Sequence, residues 1–121
     1  MRKAGRGEGF PPAGLKKETR LKKMTIKKTR DRSSLALVLE GRLDTTTSPQ
    51  LEAELSASLS GVTHLTLDMA DLAYLSSAGL RVILSAQKRM NKQGQMVVRH
   101  VNETIMEVFE VTGFVDILTI E

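Results

Sequence analysis

The chain has 121 residues, enough for one domain with one hydrophobic core, and its 40% hydrophobic and 26% charged residues are ordinary for a globular protein. It has no cysteine, which excludes a disulfide framework and thiolate metal sites and fits a reducing compartment, so we expect a cytoplasmic protein. The net charge of +4 is distributed unevenly, because residues 1–23 carry eight basic and two acidic side chains and leave the other 98 residues at −2. The pI of about 9.6 therefore does not by itself indicate a nucleic-acid-binding domain.

The N-terminal segment, residues 1–23, is rich in glycine, proline and charge and has no apolar periodicity, so we predict a disordered basic extension. It has three interpretations: a basic tail that contacts RNA or anionic lipid, an artefact of expression or of the assigned gene start, and an inert extension. It lacks the apolar stretch of a secretory signal, and no part of the chain approaches the roughly 20 apolar residues of a membrane span. The folded domain is predicted at residues 24–121.

Strand and helix signals alternate from Met24 onward. Residues 24–30 are predicted as an edge strand, and the apolar run at 35–43 as a strand buried on both faces. Ser48 is predicted to cap a helix with Pro49 at its first position, and Gly61 to end it. Residues 64–70 alternate as a half-buried strand does, and the segment 71–77 then leads into a longer helix.

The second half of the domain continues this alternation. The long helix runs to about Gln93, with Gly94 predicted in the left-handed conformation that closes a helix. After a strand at 95–101, Asn102 is predicted to cap a helix that Gly113 ends, and residues 115–120 to form a last short strand. One face of that helix carries Ile105, Val108, Phe109 and Thr112. The element order predicts a single α/β domain with a mixed four- to five-stranded sheet and helices packed mainly on one face.

The sequence offers little catalytic chemistry. The histidines are His64 and His100, both in or beside strand patterns, and no zinc-binding spacing occurs, so we expect no metal and no other cofactor. The segment SSAG has no glycine on the N-terminal side of its serines, so the nucleophile elbow G-x-S-x-G is absent. Asp68 and Asp71 are interpreted as a polar strand face and a turn. The glycines form neither of the nucleotide-binding motifs G-x-G-x-x-G and G-x-x-x-x-G-K-[ST]. From these missing features together we predict that the protein is not an enzyme.

Two adjacent serines, Ser76 and Ser77, stand where an apolar strand ends and a helix begins. A single hydroxyl is enough to cap the helix, at about 1 kcal/mol. The other lies in the first turn, where backbone N–H groups and the helix dipole favour an anion. A phosphate there would add roughly −1.5 to −2 charge at an exposed position without disturbing the core, so the position is suited to a switch.

Three segments carry a resemblance to a known family: LEGRLDTTTSPQLEAEL, LDMADLAYLSSAGLRVILSAQKRMNKQG and VVRHVNETIMEVFEVTGFVDIL. Together they resemble the STAS domain family, in particular the small bacterial anti-sigma factor antagonists, over nearly all of residues 24–121. The G-x-L-D turn, the Ser-x-Gly-Leu helix start and the TGF before the last strand occur in the order and spacing of the family. Ser76 stands where the family usually carries an acidic residue.

The resemblance implies partner switching. An unmodified antagonist binds a serine kinase that is also the anti-sigma factor, and this binding frees the sigma factor. The kinase ends the interaction by phosphorylating the antagonist. A metal-dependent serine phosphatase removes the phosphate again. It implies a phosphoacceptor at Ser77, with Ser76 as an alternative, and a monomer or weak dimer that binds no nucleic acid directly. The partner-binding residues that it implies are Asp44, Thr45, Ser76, Ser77, Gly79 and Arg81.

Two other functions stay open from the sequence. One is a non-phosphorylated STAS scaffold in a transport or signalling complex, in which Ser77 is only a cap and a contact. The other is the sensing of a nucleotide or small ligand at Asp44, which is alternatively only a residue of the turn that ends its strand.

Overall fold

The computed structural model describes residues 24–121, and the predicted N-terminal extension lies outside them. Within this range the strands are β1 Met24–Asp31, β2 Ser34–Leu43, β3 His64–Leu75 and β4 Gln95–Arg99. The helices are α1 Ser48–Ser58, α2 Ser77–Gln93 and α3 Glu103–Thr112, and a 3-10 helix follows at Phe114–Asp116. The predicted alternation of strands and helices is confirmed as far as α3.

The sheet has the order β1-β2-β3-β4, with β1 antiparallel to β2 and the other neighbours parallel. β1 is an edge strand, as its sequence predicts. Because β2 and β3 run in the same direction, their carboxyl ends meet at one edge of the sheet, where Leu43 pairs with Leu75. The loops that follow these two strands therefore begin side by side.

The hydrophobic core lies between one face of the sheet and the three helices. In β2 buried residues alternate with half-buried ones, so the prediction that this strand is buried on both faces is wrong. The helices contribute to the same core cluster as the strands, and the opposite sheet face carries half-buried side chains such as Val38 and Thr66. The core is built mainly from leucine and other aliphatic side chains, with Phe109 fully buried: Leu35, Leu37, Leu39, Leu51, Leu65, Leu67, Met69, Ile83, Val98 and Phe109.

The predictions for the end of β3 and for the last strand are wrong, because pairing between strands decides both. β3 does not end near residue 70 but continues to Leu75, because shifts in the β2–β3 register allow the pairing to continue. The predicted last strand is a 3-10 helix followed by one parallel bridge between Val98 and Ile120. The amide of Val98 donates to the carbonyl of Thr119 at 2.8 Å, so β4 has a short partner along this edge.

The helices differ from the prediction in four places, and one is that α1 ends at Ser58, with Leu59 as its C-cap, and not at Gly61. Thr47, not Ser48, is the N-cap of α1; the Ser48 hydroxyl instead donates to the carbonyl of Asp44 at 2.6 Å. Gly94 has an extended φ of 171° and is not left-handed, whereas Gly113 is, at a φ of 81°. Thr112 is exposed, and its hydroxyl donates to the carbonyl of Val108 at 2.7 Å. The predicted caps at Asn102 and at the start of α2 are present.

Candidate functional site

The candidate site is the edge of the sheet where β2 and β3 end. The amide of Ser76 donates to the carbonyl of Leu43 at 2.9 Å, which joins the start of α2 to the end of β2. Asp44 follows Leu43 directly, so the Asp44 loop and the two serines lie next to each other. The predicted site residues of the two segments are thus brought to one edge by the parallel pairing of β2 and β3.

The Asp44 side chain organises its own loop. Its Oδ1 atom accepts hydrogen bonds from the backbone amides of Thr46 and Thr47 at 3.0 and 3.1 Å and from the Thr46 hydroxyl at 2.7 Å. The Thr46 hydroxyl bond is the largest cause that lowers the pKa of Asp44, and the other bonds from Thr46 and Thr47 outweigh the opposing effect of desolvation. The carboxylate is therefore ionised at neutral pH, with its Oδ2 atom 3.6 Å from the Nε of Arg42.

The buried hydroxyl of Thr47 joins the two ends of the same loop. Its hydroxyl donates to the carbonyl of Arg42 at 2.6 Å and accepts from the amide of Asp44 at 2.9 Å. This explains why Thr47 makes no side-chain cap bond although it stands at the N-cap of α1. The buried Thr47 thereby fixes Asp44 and the neighbouring Thr45 at the edge of the sheet, while Thr45 itself is exposed.

Ser76 and Ser77 have different environments although they are neighbours. Ser76 is the N-cap of α2: its backbone is extended, and its hydroxyl accepts from the amide of Gly79 at 3.4 Å. Ser77 is the first residue of the helix and is exposed, and no hydrogen bond joins its hydroxyl to another residue within 24–121. The cap function thus belongs to Ser76, and the Ser77 hydroxyl is accessible.

Gly79 is buried and does not lie on the exposed surface, so among the predicted partner-binding residues it supports the site from below. A Cβ atom at this position would lie 2.7 Å from Cγ of Leu43 and 2.8 Å from Cδ1 of Leu75. Both distances are shorter than any real contact of a Cβ atom. A residue without a side chain is therefore what lets the first turn of α2 approach the ends of β2 and β3 so closely.

Arg81 and Thr45 line a cleft of about 220 Å³ between the first turns of α1 and α2, together with Ala78, Ser48, Glu52 and Ser85. Arg81 lies one turn after Ser77 on the same side of α2, since residues four apart are neighbours on a helix. The structure thus brings the half-buried Asp44 and the exposed Thr45, Ser77 and Arg81 to one region. Their role in binding stays a prediction.

Sequence reasoning missed one pair at this edge. The guanidinium carbon of Arg42 lies 4.2 Å from the ring centre of Tyr74, the residue with which Arg42 pairs across β2 and β3. Tyr74 is 41% exposed, an unusual position for the one tyrosine of the chain. The contact depends on the register of β2 and β3, which the sequence does not reveal. The one local signal for it is that an aromatic residue, Tyr74, stands just before the two serines.

The histidine–carboxylate pair formed by His100 and Asp68 does not lie at this edge. His100 Nδ1 lies 2.8 Å from Oδ2 of Asp68, seven residues before Leu75 along β3 and so roughly 20 Å from the end of that strand. Desolvation raises the pKa of Asp68, but the hydrogen bonds from the Ala70 amide and from His100 outweigh it and the net shift is downward. Within residues 24–121 no cluster of three or more potential metal ligands occurs, and no helix is both long enough and apolar enough to cross a bilayer.

The comparisons with known proteins agree with this architecture. The protein BtrV of Bordetella bronchiseptica, which is assigned as an anti-sigma factor antagonist, is 39% identical over 88 residues, which cover 71% of this chain and 76% of BtrV. The anti-sigma-B factor antagonist of Listeria monocytogenes is 28% identical over 96 residues, 78% of this chain and 84% of that protein.

A solved structure shows the same fold. The crystal structure of an anti-sigma factor antagonist from Mycobacterium paratuberculosis superimposes with a TM-score of 0.73 at 18% identity, over 80% of this chain and 84% of the other. A sequence model of the STAS domain family matches residues 24–121, which is the whole of the described domain. The chain therefore belongs to the STAS domain family, and within it to the anti-sigma factor antagonist type.

Proposed function

We propose that this protein is an anti-sigma factor antagonist that works by partner switching. In its unmodified form it binds an anti-sigma factor that is also a serine kinase, and a sigma factor is released. Phosphorylation of Ser77 by that kinase ends the interaction, and a metal-dependent serine phosphatase restores it. The protein acts in this scheme as a ligand and a substrate, not as a catalyst.

The observation that carries the proposal is the difference between the two serines. Ser76 makes the cap bond that the helix needs, so the exposed Ser77 hydroxyl is not required for the fold. A phosphate on Ser77 would lie at the positive end of the α2 dipole and in water, where its charge costs the fold little. The names of the relatives from Bordetella and Listeria support the same function.

A partner that packs against this edge would meet a neutral hydroxyl in one state and a bulky dianion in the other. Weakening a complex about 1,000-fold requires about 4 kcal/mol, which one phosphate in a desolvated interface can supply. Asp44, Thr45 and Arg81 are the proposed contacts around Ser77. The ionised Asp44 and the cationic Arg81 would fix the orientation of the partner, because paired charges at the rim of an interface set specificity.

The test uses the anti-sigma factor kinase encoded in the same genome. Incubation with that kinase and Mg-ATP should add one phosphate by intact-mass spectrometry; Ser77→Ala should abolish it, and Ser76→Ala should not. Ser77→Asp should weaken kinase binding in calorimetry, whereas the control Ser34→Asp, at an exposed position at the amino end of β2, should weaken it much less.

Three results would count against the proposal as stated. Kinase binding that is unaffected by Ser77→Asp would remove the switch, even with phosphorylation present. A kinase that binds the protein but adds no phosphate to Ser77 would instead favour the alternative of a STAS scaffold in a transport or signalling complex. Phosphate on Ser76 would transfer the acceptor role to the cap residue.

A further inference from the structure

The exposed surface of α2 is strongly cationic. The helix contains Arg81, Lys88, Arg89 and Lys92 and not one acidic residue, and all four cationic side chains are exposed. None of them forms an ion pair with another residue in the described part of the chain. The net −2 of the residues after the N-terminal extension therefore conceals a separation of charge, with α2 at +4 and the acidic residues on other elements.

These cations extend along the same helix face as Ser77. With 3.6 residues per turn, Ser77, Arg81, Ser85 and Arg89 follow one another at four-residue spacing, and Lys88 and Lys92 lie beside that row. From Ser77 to Lys92 the row is about 22 Å long. The proposed phosphoacceptor thus stands at the N-terminal end of a cationic stripe.

A groove with an apolar floor borders this stripe. The cleft that contains Arg81 adjoins a second one of about 130 Å³ further along α1 and α2, and the two share Glu52, Val82 and Ser85. The floor of the second cleft is formed by Leu55, Leu59, Val82 and Ala86, and Arg89 stands at its rim. On the side of α1 the rim carries the carboxylate of Glu52, so the groove is positive along α2 and negative along α1.

We propose that the groove between α1 and α2 is a docking surface for an acidic, amphipathic segment of a protein partner. Its Asp or Glu side chains would lie along Arg81, Lys88, Arg89 and Lys92, and apolar side chains of leucine size would enter the groove. This deepens the proposed function, on which it rests, by naming the chemistry of the partner. A phosphate on Ser77 would then repel the acidic segment from the end of the stripe.

An acidic protein segment fits this surface better than RNA or an anionic membrane does. Single-stranded RNA binds on exposed aromatic platforms, and α2 has no aromatic residue. A helix that lies on a membrane presents a broad apolar face to the lipid, whereas the buried apolar side chains of α2 are at most 8% exposed, in the core or at the floor of the groove. An apolar floor beside a charged rim is the arrangement found where an amphipathic segment binds in a groove.

The test is a titration of the ¹⁵N-labelled full chain by NMR. The probe is a helical peptide of about 15 residues, which spans the stripe, with glutamates along one side and leucines along the other. Amide shifts should be saturable and confined to α1 and α2. Lys88→Glu/Arg89→Glu should weaken binding at least about tenfold, while the control Arg32→Glu, an exposed charge reversal in the β1–β2 turn, should leave it unchanged. Glu52→Gln should strengthen it about two- to threefold.

Three comparison probes decide the outcome: a peptide of equal charge with alanine in place of leucine, single-stranded RNA, and phosphatidylglycerol vesicles. Weak or absent binding of all three supports the proposal. Equal binding of the alanine peptide, tighter binding of RNA or vesicles, or no shifts with the leucine peptide overturns it. Because this titration contains no kinase, its result is separate from the fate of the proposed switch. The charge-neutralising pair Lys88→Gln/Arg89→Gln distinguishes lost attraction from new repulsion.

Discussion

Gly79 lies so close to Leu43 that a Cβ atom on the glycine would come within 2.7 Å of the leucine Cγ atom. This contact sets the distance between the start of α2, which carries Ser77, and the end of β2, which leads into Asp44. The geometry of the candidate site therefore depends on a residue that is itself buried, and the packing at this point can be tested directly.

Gly79→Ala should lower the free energy of unfolding by about 1–3 kcal/mol, because the added methyl group overpacks the contact with Leu43 and Leu75. Urea denaturation at neutral pH measures this. Ser85→Ala, an exposed change in the same helix, serves as the control and should stay within about 0.5 kcal/mol of wild type. A Gly79→Ala protein as stable as wild type would contradict the close packing of α2 on the two strands.

Ser76→Ala should cost about 0.5 kcal/mol or somewhat more, since it removes the cap bond to the Gly79 amide, which is long at 3.4 Å. Ser76→Asp should be at least as stable as wild type, because an aspartate both caps the helix and carries negative charge at the positive end of the dipole. Chemical denaturation of the two variants in parallel gives the comparison. If Ser76→Asp were the less stable of the two, the assignment of Ser76 as the cap would be wrong.

Asp44→Ala should be less stable than wild type at pH 7, and the difference should shrink as the pH falls below about 4. The pKa of Asp44 is lowered in the folded protein, so its stabilising effect is complete above the pKa of the unfolded chain and is lost on protonation. Urea midpoints at pH 7 and pH 3 measure the effect. Asp44→Asn is the control that keeps a hydrogen-bond acceptor without the charge, and a difference that does not change with pH would show that ionisation is irrelevant.

Gly94→Ala should destabilise the protein by at least about 3 kcal/mol, because the new Cβ atom would lie 2.0 Å from the carbonyl oxygen of Thr63. Gly113→Ala meets no atom within 4 Å and should cost only the strain of its left-handed backbone, about 1–2 kcal/mol. Thermal or urea unfolding of both variants ranks them. The reverse ranking would contradict the close approach of Gly94 to the carbonyl of Thr63.

Most of the secondary structure follows from local signals in the sequence. Ser76 and Asn102 cap α2 and α3 through bonds to residues three positions later, and the edge strand β1 is predicted from its own residues alone. Such contacts lie within one turn or one strand, so the sequence alone contains both partners. The STAS family could be identified for the same reason, since its helix start and glycines are short local patterns.

The errors concern segments whose structure is decided by distant partners. β3 extends to Leu75 because β2 offers it a partner after a change of register, and the C-terminal residues pair only at Ile120. Gly94 looked like an ordinary helix-ending glycine, but the reason for it is the backbone of Thr63. The contact between Arg42 and Tyr74 likewise depends on the register in which β2 and β3 pair.

The sequence by itself determined that this is an α/β domain with two serines at a helix start, because caps, periodicity and breakers act over a few residues. Only the tertiary structure decided that Asp44 lies beside that helix start, that Ser76 takes the cap and leaves Ser77 accessible, and that the cations of α2 form one surface. The physical reason is that parallel pairing of β2 and β3 and the burial of one helix face fix which side chains meet and which remain in water.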